Sequence, residues 1–520
     1  MRARKIPSAL RIKVDEYHVA VFCDELPFRT ALFAAVRAGG ERSALVTSER
    51  VLSYRALDRE SDRVRDALLR AGAGPGTVVS LALPNGWAWA VALLAVLKCG
   101  AVLAPANSLL TAAETTALAS VTGPAVVLRH TGDLDGPARA RRHGDDGVRP
   151  PAGTYALAHT SGTTGTPRAV VQTERAVHGA VAYWARQRRA DDVVATALPL
   201  AHTYGHLVAA STFLAGATLV LAGRFRPAGL ARLIVRHRAT AVEAVPTMYA
   251  RMLAHVPSGA LGHVRCLSSG QALPEGLSRA WYERTGAPLT ESWGMTELAG
   301  PGLAFDPGRA GRDGWAGYPV RGHEFALRPL ASAAGRPPGA AGAGQADGTG
   351  ETEGSRETGE ILVRGPGISP GCYDRSAGVV PLADADGWLH TGDVAERDAE
   401  GCFRVLDRCK DLINSGGHNI FPTEVENVLA RHPAVLSTAV VGVAHHDLGE
   451  VPRAYVVPAP GRPADAGALL RHCRAHLADY KVPRSVVFRD DLPVTGSGKL
   501  RRNRLRDTEP SGPPPGPCPS

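Results

Sequence analysis

Residues Thr160–Val170, TSGTTGTPRAV, form the densest motif of the chain and directly follow a strand-like run, Thr154–Ala158. The glycines of the motif let a backbone come close to phosphate oxygens, its hydroxyl and amide groups supply hydrogen-bond donors, and Arg168 adds a positive charge. The spacing differs from the G-x-x-x-x-G-K-[ST] phosphate loop. An ordinary polar turn between a strand and a helix is the alternative. The full string favours a phosphate-binding loop.

Strand-like and helix-like stretches alternate on both sides of this motif, from about residue 28 to 330. The alternation predicts an α/β fold in which layered β-sheets are covered by helices. A buried helix is predicted over Trp87–Leu97, because this run is apolar on every side. The predicted strands are Thr77–Leu83, Ala101–Ala104, Thr154–Ala158, Val193–Leu198, Ala217–Leu221, Ala241–Val245 and Val264–Ser268.

The second part of the chain changes character twice. Residues 329–358 are rich in Gly, Ala and Pro, so they predict a flexible surface insertion. A smaller α/β unit starts near Asp411 and includes a helix over Pro422–Leu429, a strand over Leu436–Val443 and a helix over Ala466–Leu477. We therefore predict a large N-terminal domain (1–407), a hinge (408–410), a small mobile C-terminal lid (411–506) and a disordered tail (507–520).

Composition excludes several classes of function. The 520 residues carry 59 basic and 50 acidic side chains, and the basic ones are scattered rather than arranged in a stripe, which argues against nucleic-acid binding. The eight cysteines form no C-x-x-C pair and no zinc-ligand spacing is present, as is typical of reduced thiols. The longest apolar run is too short to cross a bilayer and no apolar leader follows the basic N-terminus, so we expect a cytoplasmic protein.

Taken with motifs further along the chain, TSGTTGTPRAV resembles the signature loop of the adenylate-forming superfamily. This superfamily comprises acyl-CoA synthetases, adenylation domains of peptide synthetases and firefly-type luciferases. Its loop reads roughly [ST]-S-G-[ST]-[ST]-G-x-P-K-G-V, so this chain departs from it with Arg168 and Ala169. The resemblance extends from about residue 28 to 504 and is closest to acyl-CoA synthetases. It implies phosphate binding by Thr160, Ser161, Gly162, Thr163, Thr164, Gly165 and Arg168.

Three further motifs imply how a nucleotide is held. Glu291–Leu298, ESWGMTEL, resembles the family's Y-G-x-T-E motif, Ser268–Ala272 resembles its glycine-rich strand end, and Gly387–Glu396 resembles its W-x-x-T-G-D motif. A flat ring suits a purine, a carboxylate suits a hard cation, and an acceptor-only carboxylate suits the two ribose hydroxyls. The resemblance implies adenine stacking by Trp293, phosphate or carboxylate contact by Thr296, Mg²⁺ binding by Glu297, ribose binding by Asp393, and further nucleotide contacts by Ser269, Gly270, Gln271, Gly294 and Arg408.

The segment Pro199–His206, PLAHTYGH, resembles the family's acyl-pocket segment, where His202 takes the position that lines the pocket. Relatives that activate amino acids carry an Asp near this segment, but no acidic residue lies between Leu198 and Gly223. Burying an ammonium group without a partner would be costly. We therefore expect a carboxylic acid without an α-ammonium group, either fatty or aryl.

The C-terminal motifs imply a moving lid. Asp407–Glu426 resembles the family's interdomain hinge, with Lys410 at the hinge position and Gly416 and Gly417 along the tunnel for the thiol arm. Thr495–Arg501, TGSGKLR, resembles the loop that carries the adenylation lysine, here Lys499. A cation between a carboxylate and the α-phosphate offsets their repulsion. The implied catalytic residues are Lys499, Thr296, Glu297 and His202.

These motifs predict an enzyme that uses ATP and Mg²⁺ to convert a carboxylic acid into an acyl-AMP and then passes the acyl group to a thiol. The acceptor we expect is coenzyme A, because GWLHTGD and SGGHNIFPTEVE resemble acyl-CoA synthetases most. A free-standing ligase that loads the phosphopantetheine of a separate carrier protein is the first alternative. A nucleotide-binding regulatory relative without turnover is the second.

Overall fold

The computed structural model describes residues 26–136, 148–160, 167–274, 276–305, 311–320, 322–330, 356–493 and 500–506. Most of the predicted insertion, the interior of the phosphate-loop motif (161–166), Lys499 and the predicted disordered tail lie outside the described residues.

The first part of the chain alternates strands and helices as the sequence predicts. Its elements are α1 (Phe28–Ala38), β1 (Ser43–Val46), β2 (Val51–Ser53), α2 (Tyr54–Arg70), β3 (Val78–Leu81), α3 (Trp87–Lys98), β4 (Val102–Pro105), α4 (Ala112–Thr122), β5 (Val126–Leu128), β6 (Thr154–Thr160), β7 (Arg168–Thr173), α5 (Glu174–Ala185), β8 (Val193–Thr196), α6 (Thr203–Leu214), β9 (Thr218–Leu221), α7 (Pro227–Arg236), β10 (Ala241–Ala244), α8 (Pro246–Met252), β11 (Arg265–Ser269), α9 (Leu277–Thr285), β12 (Leu289–Met295) and β13 (Gly300–Ala304).

The second part is richer in strands. It continues with β14 (Tyr318–Pro319), β15 (Glu324–Arg328), β16 (Glu357–Arg364), β17 (Cys372–Asp374), β18 (Gly378–Val380), β19 (Leu389–Arg397), β20 (Phe403–Arg408), β21 (Ile413–Ser415), β22 (His418–Ile420), α10 (Pro422–Ala430), β23 (Val435–His445), β24 (Gly449–Pro458), α11 (Ala466–His476), β25 (Ser485–Phe488) and α12 (Arg502–Arg506).

Local chemistry explains the main helices. In α2 the side chain of Ser53 accepts a hydrogen bond from the Ala56 amide, and Leu57, Val64 and Leu68 form its buried face. Helix α3 is buried along the whole of 88–97, which agrees with its apolar character on every side. Among the described residues, no helix combines the length and apolar character needed to cross a bilayer.

Two large sheets form the frame of the N-terminal region. Within the described residues one sheet has the strand order β14-β13-β12-β11-β10-β8-β9-β1-β2 and the other the order β18-β17-β7-β6-β4-β3-β5. Strands β8 to β12 pair in parallel in the first sheet, and β3, β4, β5 and β6 pair in parallel in the second. One hydrophobic core joins α1, α2, α3, α6 and both sheets. The predicted layered α/β fold is confirmed.

The chain around the phosphate-loop motif is a hairpin. Strands β6 and β7 are antiparallel, and Thr160 at the start of the motif pairs with Arg168 near its end. The motif therefore connects two strands, and the next helix, α5, starts only after Thr173 caps it. Both flanks of the motif are held by the same sheet.

A smaller antiparallel sheet, in the order β15-β16-β19-β20, packs against the end of β12. Their shared core includes Trp293 from β12, Val363 from β16, Leu389 from β19 and Phe403 from β20. This packing brings the ESWGMTEL and TGD motifs together, although about 100 residues separate Trp293 from Asp393.

The C-terminal residues form a unit with a core of their own. The described strands of this unit have the order β22-β21-β24-β23, with β25 paired to β24. Residues such as Ile413, Val440, Leu469 and Cys473 make up its core. Two predicted elements extend slightly further than expected, since β23 covers Val435–His445 and α10 covers Pro422–Ala430, while α11 ends one residue earlier, at His476.

Candidate functional site

Trp293, Asp393 and Arg408 meet at the junction of β12, β19 and β20. The indole Nε1 of Trp293 donates a hydrogen bond to Asp393 Oδ2 at 2.9 Å. Arg408 Nε lies 2.8 Å from Asp393 Oδ1, and the two residues are cross-strand partners. Each carboxylate oxygen of Asp393 therefore has a donor, and its negative charge has a cationic partner. We call these three residues the nucleotide cluster, because the sequence assigned all of them to nucleotide binding.

Asp393 lies in an irregular stretch of β19 that is held by its neighbours. The Thr391 hydroxyl donates to the Ile361 carbonyl at 2.8 Å and accepts from the Asp393 amide at 3.1 Å. The Gly392 amide donates to Glu360 Oε1 at 3.0 Å. Arg408 Nη2 also donates to the Thr391 carbonyl, at 3.1 Å. These bonds hold the T-G-D motif in one conformation, so little conformational entropy is lost when a ligand binds to it.

The glycine-rich strand end lies beside Trp293. Strands β11 and β12 are parallel with Ser269 opposite Ser292, and the Ser269 hydroxyl donates to the Ser292 carbonyl at 3.0 Å. Gly270 and Gln271 follow directly, so the predicted group Ser269, Gly270 and Gln271 adjoins the nucleotide cluster.

Glu291 ties the same two strands together from a buried position. Its Oε1 accepts a hydrogen bond from the Leu273 amide at 3.2 Å. Burial raises the pKa of the Glu291 carboxyl to about 8, although the Leu273 amide and the charge of Arg404 act in the opposite direction. At neutral pH Glu291 is therefore a neutral structural group rather than an anion.

Thr296 and Glu297 lie in a short turn that Gln172 joins to the phosphate hairpin and to the start of α6. Gln172 Nε2, from β7, donates to the Thr296 carbonyl at 3.0 Å and to the Thr203 hydroxyl at 3.1 Å. The Glu297 carbonyl accepts from the Ser369 amide at 2.7 Å. Gly294 is required at the preceding bulge, because a Cβ there would lie 2.3 Å from the Gly300 carbonyl oxygen.

Arg168 and Glu297 face one region, around Cys372. Burial raises the pKa of the Cys372 thiol, while the charge of Arg168 lowers it and that of Glu297 raises it further. Arg168 of the phosphate hairpin and Glu297, the predicted magnesium ligand, therefore both lie near Cys372. A partly exposed carboxylate near a phosphate-binding hairpin fits the oxygen chemistry of a Mg²⁺ site. Thr160 and Arg168 flank the loop, while Ser161, Gly162, Thr163, Thr164 and Gly165 lie outside the described residues.

His202 lies at the start of α6 and lines a narrow cavity of about 20 Å³, room for about one water molecule. The other lining residues are Leu198, Pro199, Tyr204, Gly205, Val245 and Gly270. Gly270 belongs both to this cavity and to the strand end beside Trp293. We call the cavity the acid pocket, because the sequence motif implies that His202 lines the acyl pocket.

Sequence reasoning missed the polar residues behind the acid pocket. Glu243 on β10 forms an ion pair with Arg188 at 2.5 Å, and both side chains are 4% exposed. Tyr204, which lines the pocket, lies near this pair. The sequence offered one signal, because Glu243 interrupts the otherwise apolar strand AVEA. No local pattern could have paired it with Arg188, 55 residues earlier.

The predicted hinge and thiol-tunnel residues lie further along the chain. Lys410 is exposed in a single turn between β20 and β21. Gly416 and Gly417 form the exposed turn between β21 and β22, with φ of 56° and 84°. Two positive φ angles are typical of the tight turn that joins antiparallel strands, so the turn itself requires these glycines.

Lys499 lies outside the described residues, but the residues just after it are placed. The Arg501 amide donates to the Pro493 carbonyl at 2.8 Å. Hydrogen bonds from Thr111 lower the pKa of Glu114 on α4, and the charge of Arg501 adds to that shift. Arg501 therefore lies near Glu114 of the N-terminal region.

Comparisons with known proteins agree with this geometry. A family model described as AMP-binding enzyme matches residues 32–373, and a model of the AMP-binding enzyme C-terminal domain matches 424–499. The chain is 35% identical to a feruloyl-CoA synthase from Amycolatopsis sp over 503 residues, which cover 91% of this chain and 95% of the relative.

Solved structures give the same result. ATP-bound MatB from Rhodopseudomonas palustris superposes with a TM-score of 0.76 and 26% identity, covering 92% of this chain and 98% of that one. The o-succinylbenzoate CoA synthetase of Bacillus subtilis, in complex with its acyl-adenylate intermediate, gives a TM-score of 0.75 and 29% identity, covering 92% of this chain and 98% of that one.

Proposed function

This chain belongs to the family of AMP-binding enzymes, and from that premise we propose how its residues activate an acid and which acids they accept. It is an AMP-forming acid–thiol ligase that uses ATP and coenzyme A. The resemblance read from the sequence motifs is confirmed. The observation that carries the residue assignments is the nucleotide cluster, in which Asp393 is held between Trp293 and Arg408 at 2.9 and 2.8 Å.

In the first step a substrate carboxylate oxygen attacks the α-phosphorus of ATP, the bond to pyrophosphate breaks, and an acyl-AMP forms. Asp393 accepts hydrogen bonds from the ribose hydroxyls, since each carboxylate oxygen can accept more than one. The face of Trp293 lies against adenine, and Ser269, Gly270 and Gln271 border the base and the acyl group. Holding both reactants in this geometry supplies much of the rate enhancement.

The negative charge that develops on pyrophosphate is met by the phosphate hairpin. Arg168 and the donors of 160–165 surround the leaving group, and Thr296 contacts the phosphate or the carboxylate. Glu297 would hold Mg²⁺, which when bound supplies positive charge to the phosphate oxygens. Lys499 supplies the positive charge that offsets the repulsion between the carboxylate and the α-phosphate.

In the second step the C-terminal unit turns about Lys410 and removes Lys499 from the site. The turn at Gly416 and Gly417 then borders the path of the thiol. The thiol sulfur attacks the acyl carbonyl carbon, the bond to AMP breaks, and a thioester forms. Since the chain carries both the N-terminal and C-terminal family regions, each half-reaction has residues to serve it.

We favour an aryl acid over a long fatty acid. The acid pocket is lined by Pro199, His202 and Tyr204, whose flat surfaces suit a ring. A long apolar tail would have to continue toward the buried charges of Arg188 and Glu243. The named activity of one relative, feruloyl-CoA synthase, is consistent with this choice.

An acid screen with two readouts tests the proposal. ATP–pyrophosphate exchange reports the first step, and thioester formation on coenzyme A or on a panel of carrier proteins reports the second. We expect exchange with aryl acids and thioester on coenzyme A. Preferential loading of a carrier protein would replace coenzyme A as the acceptor, and absence of exchange with every acid despite ATP binding would favour a regulatory relative.

A pair of lysine variants tests the role of Lys499. Lys499→Ala is expected to lose exchange by about 100-fold or more, because a preorganised cation stabilises the transition state, while ATP still binds. Lys481→Ala is the matched control, since Lys481 pairs with Glu424 at 2.6 Å inside the C-terminal unit. Equal losses in both variants would contradict the assignment.

A further inference from the structure

Arg188, Tyr204 and Glu243 form a buried polar cluster behind the acid pocket. Arg188 Nη2 lies 2.5 Å from Glu243 Oε1. Arg188 also donates to the Ser211 hydroxyl on α6, at 3.2 and 3.0 Å. The guanidinium is therefore held from two sides, and Glu243 keeps one oxygen, Oε2, that does not bond to it.

The polar cluster borders the acid pocket directly. Tyr204 is itself a lining residue. Side chains alternate along a strand, so Glu243 on β10 points to the same face as Val245, another lining residue just beyond the strand end. The polar cluster thus lies at the inner end of the space that begins at His202 and Gly270.

Two polar atoms of the cluster are buried without a hydrogen-bond partner among the described residues, Tyr204 Oη and Glu243 Oε2. Burial raises the pKa of the Tyr204 phenol well above its usual value, and the Glu243 carboxylate raises it further. The two groups lie close enough to interact, but their contact does not reach the geometry of a full hydrogen bond. Tyr204 therefore stays protonated and can donate, while Glu243 Oε2 can only accept.

Buried polar atoms in folded proteins are rarely left unpaired, and those that are point to a missing partner. We infer that the missing partner is a hydroxyl group on the substrate, at the end of the acid opposite its carboxyl group. A hydroxyl can accept from Tyr204 Oη and donate to Glu243 Oε2 at the same time. This inference rests on the proposed acid–thiol ligase function and specifies its substrate class as a hydroxylated acid.

Charge balance selects a neutral group. Arg188 already neutralises Glu243, so an ammonium at this point would be buried without its own counter-ion, and a second carboxylate would be repelled by Glu243. The sequence argument against an α-ammonium group considered residues 198–223 and did not include Glu243. The structure supplies an acidic residue at the pocket, but one already paired with Arg188.

Matched acids that differ only by a hydroxyl test the inference. The pairs are para-hydroxybenzoate with benzoate, para-hydroxyphenylpropanoate with phenylpropanoate, and ω-hydroxyhexanoate with hexanoate. The full-length protein should favour the hydroxylated member of at least one pair by about 100-fold in kcat/KM, because a site built to hydrogen-bond a hydroxyl rejects the analogue that lacks it. Equal kcat/KM within every pair would overturn the inference.

Variants show whether the polar cluster causes this preference. Tyr204→Phe keeps the ring and removes the hydroxyl, and the double variant R188M/E243M removes both charges without leaving one unpaired. Each should reduce the preference to within about 10-fold, mainly by lowering kcat/KM for the hydroxylated acid. Tyr155→Phe is the control, since Tyr155 also has a fully buried hydroxyl without a partner among the described residues but does not line the pocket. A preference retained in Tyr204→Phe and R188M/E243M would overturn the inference.

Binding separates failure of this inference from failure of the proposed function. Hydrolysis-resistant acyl-sulfamoyl adenosines made from each pair of acids can be titrated by calorimetry without turnover. Tighter binding of the hydroxylated analogue, lost in Tyr204→Phe, supports the inference even if no thioester is formed. Equal binding within each pair, with thioester formation intact, overturns the inference and leaves the ligase function standing.

Discussion

The nucleotide cluster and the acid pocket lie side by side but differ in how their polar groups are satisfied. In the nucleotide cluster, both carboxylate oxygens of Asp393 have donors before any ligand binds. Behind the acid pocket, Tyr204 Oη and Glu243 Oε2 have no hydrogen-bond partner among the described residues. The carboxylate of the nucleotide cluster is thus hydrogen-bonded within the protein, whereas two polar atoms behind the acid pocket are not.

This difference follows from what each region recognises. Adenosine presents the same hydroxyls and ring in every reaction. Its site can therefore be held in one conformation by the protein, which reduces the conformational entropy lost on binding. The acid is what distinguishes one such ligase from another. A pocket that leaves buried polar atoms unpaired discriminates strongly, because only the right substrate completes its hydrogen bonds.

The largest expected effect comes from removing the centre of the nucleotide cluster. Asp393→Ala should lower kcat/KM for ATP by about 100- to 1,000-fold, because it removes the acceptor of the ribose hydroxyls, the carboxylate partner of Arg408 and the acceptor of the Trp293 indole N–H. The preference between matched acids should not change. Steady-state kinetics with varied ATP and varied acid measures both.

Asp398→Ala is the matched control for that prediction. Asp398 lies in the turn between β19 and β20, where it accepts from the Cys402 and Glu400 amides and pairs with Arg312. Its loss should lower stability without a selective effect on ATP. A similar fall in kcat/KM for ATP would mean that Asp393 acts through the fold of this sheet, and the comparison would break down.

The second prediction concerns how much stability is lost by burying the Glu291 carboxyl beside the nucleotide cluster. Folded Glu291 holds its proton up to a pKa of about 8, while the unfolded chain releases it near 4.5. The free energy of unfolding therefore falls by about 1.4 kcal/mol per pH unit between the two pKa values. Above the higher pKa it falls no further on account of Glu291. Glu291→Gln should match wild type near pH 4.5 and become progressively more stable as the pH rises.

Urea unfolding at several pH values measures this gap. Glu357→Gln is the control, since Glu357 is an exposed partner of Arg397 and such ion pairs contribute about 0–1 kcal/mol. A constant difference between wild type and Glu291→Gln across the window would show that Glu291 is ionised in the fold. The claim that the strand beside the nucleotide cluster holds a neutral carboxyl would then be wrong.

Much of the frame could be predicted because its signals are local. The apolar run of α3 and the alternation of strands and helices depend on residues within one or two turns of each other. The phosphate motif and the T-G-D motif could likewise be recognised, because each is a short string of neighbouring residues. The fold class is confirmed for these reasons.

The contacts that define the two regions could not be predicted, because they join distant segments. The hydrogen bond between Trp293 and Asp393 depends on packing of β12 against a sheet formed much later in the chain. The pair of Arg188 and Glu243 joins the segment after α5 to β10. The motif after β6 was equally compatible with a following helix, and only pairing with β7 decides for a hairpin.

The third prediction tests how much one bond of the nucleotide cluster contributes. Trp293→Phe keeps an aromatic face for adenine but removes the indole N–H that donates to Asp393. One hydrogen bond to a charged group is worth about 1.5 kcal/mol, so KM for ATP should rise about 10-fold. Trp89→Phe is the control, because Trp89 is fully buried and its Nε1 has no partner among the described residues. An unchanged KM in Trp293→Phe would show that Arg408 alone holds Asp393.

The smallest effect is expected in a third region that should serve only the second half-reaction. Gly417 has a φ of 84° and open space around it, so Gly417→Ala should cost about 1 kcal/mol of stability from backbone strain alone. Gly461, with a φ of 72° and equally open surroundings, makes Gly461→Ala the matched control for strain. If the turn borders the path of the thiol, only Gly417→Ala slows thioester formation from preformed acyl-AMP, and neither variant changes ATP–pyrophosphate exchange. Equal rates of thioester formation in both variants would show that Gly417 serves only the conformation of the turn. The turn would then have no separate role in the second half-reaction.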